Sequence, residues 1–121
     1  MKTLFLVVFW IALANIRCFA QMTVKEFRET MAGGNANSVA MTKQLVLGMG
    51  AGIQIANAFE RKVNAPALYC APENLALNAE NLIDIMKRTI ANAPAGAVPD
   101  DAPISLVLLS GLTMTFPCTP K

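Results

Sequence analysis

Histidine is absent from this chain of 121 residues. Its absence removes the commonest general base, the commonest zinc ligand, and both the Ser-His and Cys-His nucleophile pairs. Clustered Lys and Arg are also missing, so there is no electrostatic footprint for DNA, RNA or anionic lipid. A local C-x-x-C is lacking, which argues against a thiol-exchange enzyme, whose two cysteines must resolve one another quickly. No sustained period-two alternation, Asn-Gly hairpin signal or internal repeat occurs, which argues against strands and solenoids. Long apolar runs are scarce too. The run Leu4 to Leu13 is about half of the roughly twenty residues that a bilayer-spanning helix needs.

What that run does fit is a leader. Met1-Lys2-Thr3 supply a positive start, and the segment ends Arg17-Cys18-Phe19-Ala20, a small-x-small pattern for signal peptidase. Cleavage is expected after Ala20, giving a signal peptide over 1–20 and a domain over 21–121 that begins at Gln21. Arg17 occupies the place before Cys18 where a lipobox needs a small residue, so Cys18 is expected to leave with the leader. Loss of Lys2 and Arg17 turns ten Lys+Arg against eight Asp+Glu into eight of each, and the basic balance disappears. Of the three cysteines, Cys70 and Cys118 then remain. An even count in a small exported domain predicts a disulfide. About a hundred residues make one domain with a modest core, for which such a staple is worth about 4 kcal/mol in the chain-entropy model.

The periodicity predicts an all-α fold, a small bundle of about four helices. Thr23-Val24-Lys25-Glu26 matches a capping box, and the first helix runs through Phe27 and Met31 to Gly33-Gly34. Asn35 to Ser38 are turn and cap residues for a longer helix reaching Lys62 or Val63. Its expected buried face is Val39, Leu45, Val46, Met49, Ile53, Ala56 and Phe59. Asn64 to Asn78, with Pro66 and Pro72, is a loop that turns Leu68 and Tyr69 inward beside Cys70. Asn78 caps a third helix from Ala79 to Asn92 with the stripe Leu82, Ile85, Met86 and Ile90. Asp100 or Asp101 is then expected to cap a fourth, with Pro103 in its first turn. That helix, through Ile104, Leu108, Leu109 and Leu112 to Thr115, is apolar nearly all round and is expected to be the central one.

Gly48-Met49-Gly50-Ala51-Gly52 interrupts the long helix, although each helical glycine costs about 1 kcal/mol relative to alanine. No strand precedes it and the spacing is not G-x-G-x-x-G, so a dinucleotide loop does not fit. Small residues here permit close approach of another helix or mark a kink, with a homodimer contact as the alternative. The acids Glu26, Glu29, Glu60, Glu73, Glu80, Asp84, Asp100 and Asp101 are scattered and suit helix starts and solvated faces. Asp84 and Arg88, four apart, make an ordinary helix-surface pair. No catalytic or metal-ligating constellation and no cofactor motif emerges, and the chain does not read as an enzyme.

The residues around the cysteines carry a further signal. Leu68-Tyr69-Cys70-Ala71-Pro72-Glu73, then Leu77-Asn78 and Leu82, then Ala93-Pro94, then the apolar run ending Phe116-Pro117-Cys118, resemble the Rap/Tai family of type VI secretion immunity proteins. The resemblance covers Tyr69 to Cys118, and the leader and preceding helical region more loosely. It departs from the family at Tyr69, where phenylalanine is commoner, and at Gly48 to Gly52. It implies a periplasmic, all-helical protein that binds and blocks a cell-wall-degrading effector of the peptidoglycan amidase class by steric occlusion. The partner-facing candidates are two loops, one carrying Glu73 and Asn74 beside the disulfide, the other carrying Asp100 and Asp101. A reading from another class is a small periplasmic chaperone of the acid-stress type, which exposes apolar surface once its carboxylates are protonated.

Overall fold

The computed structural model describes residues 21–119, so the expected leader over 1–20 lies outside the described residues. Four helices follow in order: α1 (Val24–Gly33), α2 (Ala36–Lys62), α3 (Ala79–Asn92) and α4 (Ile104–Thr115). Their ends are written in local chemistry. At α1 the capping box is complete, with Glu26 N–H donating to Thr23 Oγ1 at 3.3 Å and Thr23 N–H donating to Glu26 Oε2 at 2.7 Å. Gly34 ends α1, and Asn35 opens α2 at once by accepting from Ser38 N–H at 2.9 Å. The long helix closes in a Schellman motif. Asn64 takes the left-handed backbone at φ 58°, Ala65 N–H reaches Glu60 O and Asn64 N–H reaches Arg61 O. Asparagine tolerates that conformation better than any β-branched residue could. Asn78 caps α3 through Asn81 N–H, as its position before the apolar stripe predicts.

The start of α4 differs from expectation. Pro103 is the cap residue and makes no side-chain cap bond; neither Asp100 nor Asp101 serves. Instead the chain's own N-terminal segment satisfies the helix, because Ile104 N–H donates to Met22 O at 3.0 Å while Val24 N–H donates to Ala102 O at 2.9 Å. This reciprocal clip, an isolated antiparallel bridge between Thr23 and Pro103, ties the first turns of α1 and α4 together. A tertiary carbonyl has taken the role that an acidic cap would otherwise play.

One core joins all four helices. Val24 and Phe27 of α1, Val46 of α2, Leu82 and Met86 of α3, and Ile104, Leu108 and Leu112 of α4 are almost wholly removed from water. The central element is α3, which packs extensively on both α2 and α4, and not α4 as its composition suggests. The reason lies in one face of α4, where Leu106 and Met114 stay 58% and 64% exposed. Close approach of α3 and α4 depends on Gly111, where a Cβ would meet Ile85 Cγ2 and Thr89 Oγ1 at 2.6 Å.

In α2 the buried face is narrower and more polar than predicted. It runs Thr42, Val46, Gly50 and Asn57, with Met49 and Ile53 packed at its margin. Leu45 and Phe59, expected inside, lie outside. Gly50 is at the contact with α3, where any Cβ would collide with Leu82 Cδ1, whereas Gly48 and Gly52 face open space. Among the described residues no helix is both long and apolar enough to cross a membrane.

Candidate functional site

The loop between α2 and α3 is held from below by a side chain that periodicity alone reads as out of place. Asn57 lies in the buried stripe of α2, 6% exposed, and its amide works in both directions. Oδ1 accepts from Leu68 N–H at 2.7 Å and Tyr69 N–H at 3.3 Å, while Nδ2 donates to Tyr69 O at 3.0 Å. One turn further on, Arg61 donates to the same carbonyl at 3.3 Å. A backbone stretch with no helix or strand partner has thereby been satisfied by one side-chain amide. Tyr69 is buried as expected, and burial pushes its phenol above the usual range against the opposing charge of Arg61. Leu68 is not turned inward; it remains partly exposed while its N–H is held.

From the other side the C-terminal segment grips the same loop. Cys70 and Cys118 form the predicted disulfide, with Cα atoms 4.9 Å apart. Cys70 N–H donates to Phe116 O at 2.8 Å, and the Tyr69 and Phe116 rings lie 6.4 Å apart in a tilted pair. The residues that carry the family resemblance at both ends of the region therefore meet in one clamp. Asn57 and Arg61 complete that clamp and were not legible as part of it. The available signal was an asparagine at helical spacing from Val46, Gly50 and Ile53, with an arginine one turn on.

Two short hydrogen-bonded turns project from this scaffold. In the first, Leu75 N–H closes on Pro72 O at 3.0 Å, which places Glu73 and Asn74 at the exposed tip. Its flanks are fixed, by the disulfide at Cys70 and by Leu77 packed on the core with Asn81 Nδ2 donating to Ala76 O at 3.1 Å. Beside it lies a groove of about 330 Å³ lined in part by Gln54, Arg61, Tyr69 and Glu73. In the second turn, Ala102 N–H closes on Pro99 O at 3.0 Å with Asp100 and Asp101 at the tip. These two acids are not equivalent. Asp100 is tied to α1 twice, its carbonyl accepting from Lys25 N–H at 2.9 Å and its carboxylate pairing with Arg28 at 2.8 Å, while Asp101 is exposed.

The structure does not bring the two turns together. They sit at opposite ends of α3, whose fourteen residues span about 20 Å. Elsewhere the acids do local work. Asp84 pairs with Arg88 at 3.0 Å as expected, Glu80 pairs with Lys43 at 3.1 Å across α3 and α2, and both pairs are exposed. Among the described residues no three of the carboxylates and thiols converge as a metal site would require.

The fold is an all-helical scaffold that presents two short polar turns, the first beside the clamp and the second tied to α1. Compared with known proteins, the chain matches no family model, no curated protein and no solved structure.

Proposed function

We propose that the chain is a periplasmic immunity protein that binds and blocks a cell-wall-degrading effector of the peptidoglycan amidase class, delivered by type VI secretion. The observation that carries this reading is the clamp. The boxes by which the sequence resembles the Rap/Tai family lie 48 residues apart at Cys70 and Cys118, and they hold the Glu73-Asn74 turn in a fixed pose. A turn already ordered in the free protein loses little entropy on binding, which favours tight inhibition by occlusion. Blocking a cleft needs a rigid projection and no chemistry of its own.

The chaperone reading requires carboxylates whose protonation opens the fold. Among the described residues the buried polar side chains are Thr42 and Asn57, and no carboxylate is buried, so the inhibitor is the better supported reading.

The test is protection. The chain is produced in the periplasm together with a secreted peptidoglycan amidase, where one is encoded in the neighbouring reading frame, and Glu73→Lys with Asn74→Lys is compared with wild type. Protection and binding should be lost while circular dichroism stays unchanged. Asp101→Lys probes the second turn; Asp100 is unsuitable because its replacement also breaks the contact with Arg28. A wild-type chain that neither binds nor protects, yet suppresses aggregation of other proteins at low pH, would hand the function to the chaperone class.

A further inference from the structure

The disulfide lies at the surface of the molecule. Cys70 and Cys118 are both exposed, and both line a groove of about 930 Å³ whose wall also includes Arg61, Pro66 and Ala67. Thiol–disulfide exchange requires a thiolate to reach one sulfur of the bond that breaks, so access decides whether a staple can react while the protein stays folded. A groove open at the bond supplies that access. The core contacts of the four helices lie elsewhere, and Asn57 holds Leu68 and Tyr69 from α2 without help from the sulfurs. Opening the bond therefore requires no helix to move.

The two sulfurs have different surroundings. Arg61 donates to Tyr69 O at 3.3 Å, which sets its guanidinium one peptide unit from Cys70, and it is the one charged residue lining the groove among the described residues. Negative charge developing on Cys70 is stabilised there. At Cys118 the neighbour is Ala67 O, 3.9 Å from the sulfur. A carbonyl oxygen repels a thiolate but accepts from a thiol. The backbone differs as well: Cys70 N–H is fixed on Phe116 O at 2.8 Å, whereas Cys118 makes no backbone–backbone hydrogen bond among the described residues. Cys70 is thus the better leaving group, and Cys118 is the sulfur freer to move onto an incoming partner.

We infer that the Cys70–Cys118 bond is a site of thiol–disulfide exchange in the folded protein, opened by a dithiol of the thioredoxin class that attacks the Cys118 sulfur. The partner's thiolate bonds to Cys118 Sγ, the Cys70–Cys118 bond breaks, and Cys70 departs as a thiolate beside Arg61. The partner's second thiolate then attacks its own first sulfur, and Cys118 is released. Cys70 and Cys118 take up two protons, matching the two that the partner's thiols give up. Two electrons pass, so this disulfide is reduced to two thiols while the partner's dithiol is oxidised to a disulfide. The segment after Phe116 then loses its tether to the α2–α3 loop, whatever the Glu73-Asn74 turn binds.

Reduction kinetics test the site. Full-length oxidised chain, produced in an oxidising compartment, is mixed with dithiothreitol in native buffer and its new thiols are followed in time. The rate should rise in proportion to dithiothreitol and pass well above the separately measured rate of global unfolding. A rate that levels off at the unfolding rate overturns the inference, because reduction then waits on unfolding. Arg61→Gln separates charge from packing. It removes the cation and also loosens the loop; the first effect should slow reduction about threefold to tenfold, whereas loosening alone would speed it. An equal or faster rate in this variant overturns the assignment of Cys70 as the leaving group. A thioredoxin carrying C-x-x-S cannot complete the second step and should trap a mixed disulfide, which peptide mapping should place on Cys118. Trapping on Cys70, or none at all, overturns the attack at Cys118.

Discussion

Asn57 shows how one side chain can substitute for an element of secondary structure. Two N–H groups and one carbonyl of Leu68 and Tyr69 depend on it, at the point where the loop passes over the core. Replacing it with alanine leaves those groups dependent on water that must enter a buried site. We expect Asn57→Ala to lower stability by about 2 to 3 kcal/mol, read as a fall in the urea midpoint at constant slope. Gly50 has the opposite difficulty, since any side chain there needs space that Leu82 already fills. Gly50→Leu should cost about 1 to 3 kcal/mol by overpacking the α2–α3 contact. A Tm equal to or above that of wild type would show that the contact yields more readily than its geometry indicates.

Among the elements, the start of α1 and the α2–α3 pair each carry a pH-dependent contact. Glu26 accepts from Thr23 N–H and from its hydroxyl, and these hydrogen bonds hold its carboxyl below the ordinary glutamate value of 4.5. Glu80 is held below the same value by the hydrogen bond from Lys43. In both cases the folded-state pKa lies beneath the unfolded one. The stability they contribute is therefore fully present above 4.5 and is lost as pH falls through the depressed values. Denaturant midpoints should be level from about pH 7 to about pH 5 and decline below that. Glu26→Gln should flatten the decline, and an unchanged profile would remove the capping box from the account. Both carboxylates are exposed, so the effect is a slope and not an acid-triggered opening.

For the molecule as a whole the disulfide sets how firmly the last segment and the α2–α3 loop stay on the bundle. It closes a separation of 48 residues, which in the chain-entropy model corresponds to about 4 kcal/mol. Cys70→Ser should cost about 2 to 5 kcal/mol by thermal or urea melting. Thiol labelling of protein produced in an oxidising compartment should find neither Cys70 nor Cys118 until a reductant is added. Labelling of both in the unreduced protein would exclude the staple. The same loss should loosen the Glu73-Asn74 turn, so on the immunity reading Cys70→Ser weakens toxin binding even under conditions where the helices persist.

Much of this was legible from residue order, for a physical reason: helix ends are local. Thr23 and Glu26, Asn78, the glycines after Met31 and the proline after Thr115 act within a few residues of themselves, and so α3 begins and ends, and α4 ends, where their residues predict. The pairing of Cys70 with Cys118 needed only their number and the expected export. Contacts between distant segments were not legible. Asp100 and Asp101 resemble caps, yet Met22 and Ala102 close the α1–α4 clip with backbone groups that carry no side-chain signature. Leu45 and Phe59 share the period of the core stripe, but the period of an apolar helix does not say which of two stripes faces inward. That choice was made by the partners, because Leu82 occupies the space a side chain at position 50 would need and the loop's free backbone is met by Asn57, with Arg61 on the Tyr69 carbonyl. Residue order thus determined the helices and the staple, which rest on near neighbours and on cysteine count. The tertiary structure decided which faces are buried, which acid is free and which glycines remain open, because each depends on atoms brought from elsewhere in the chain.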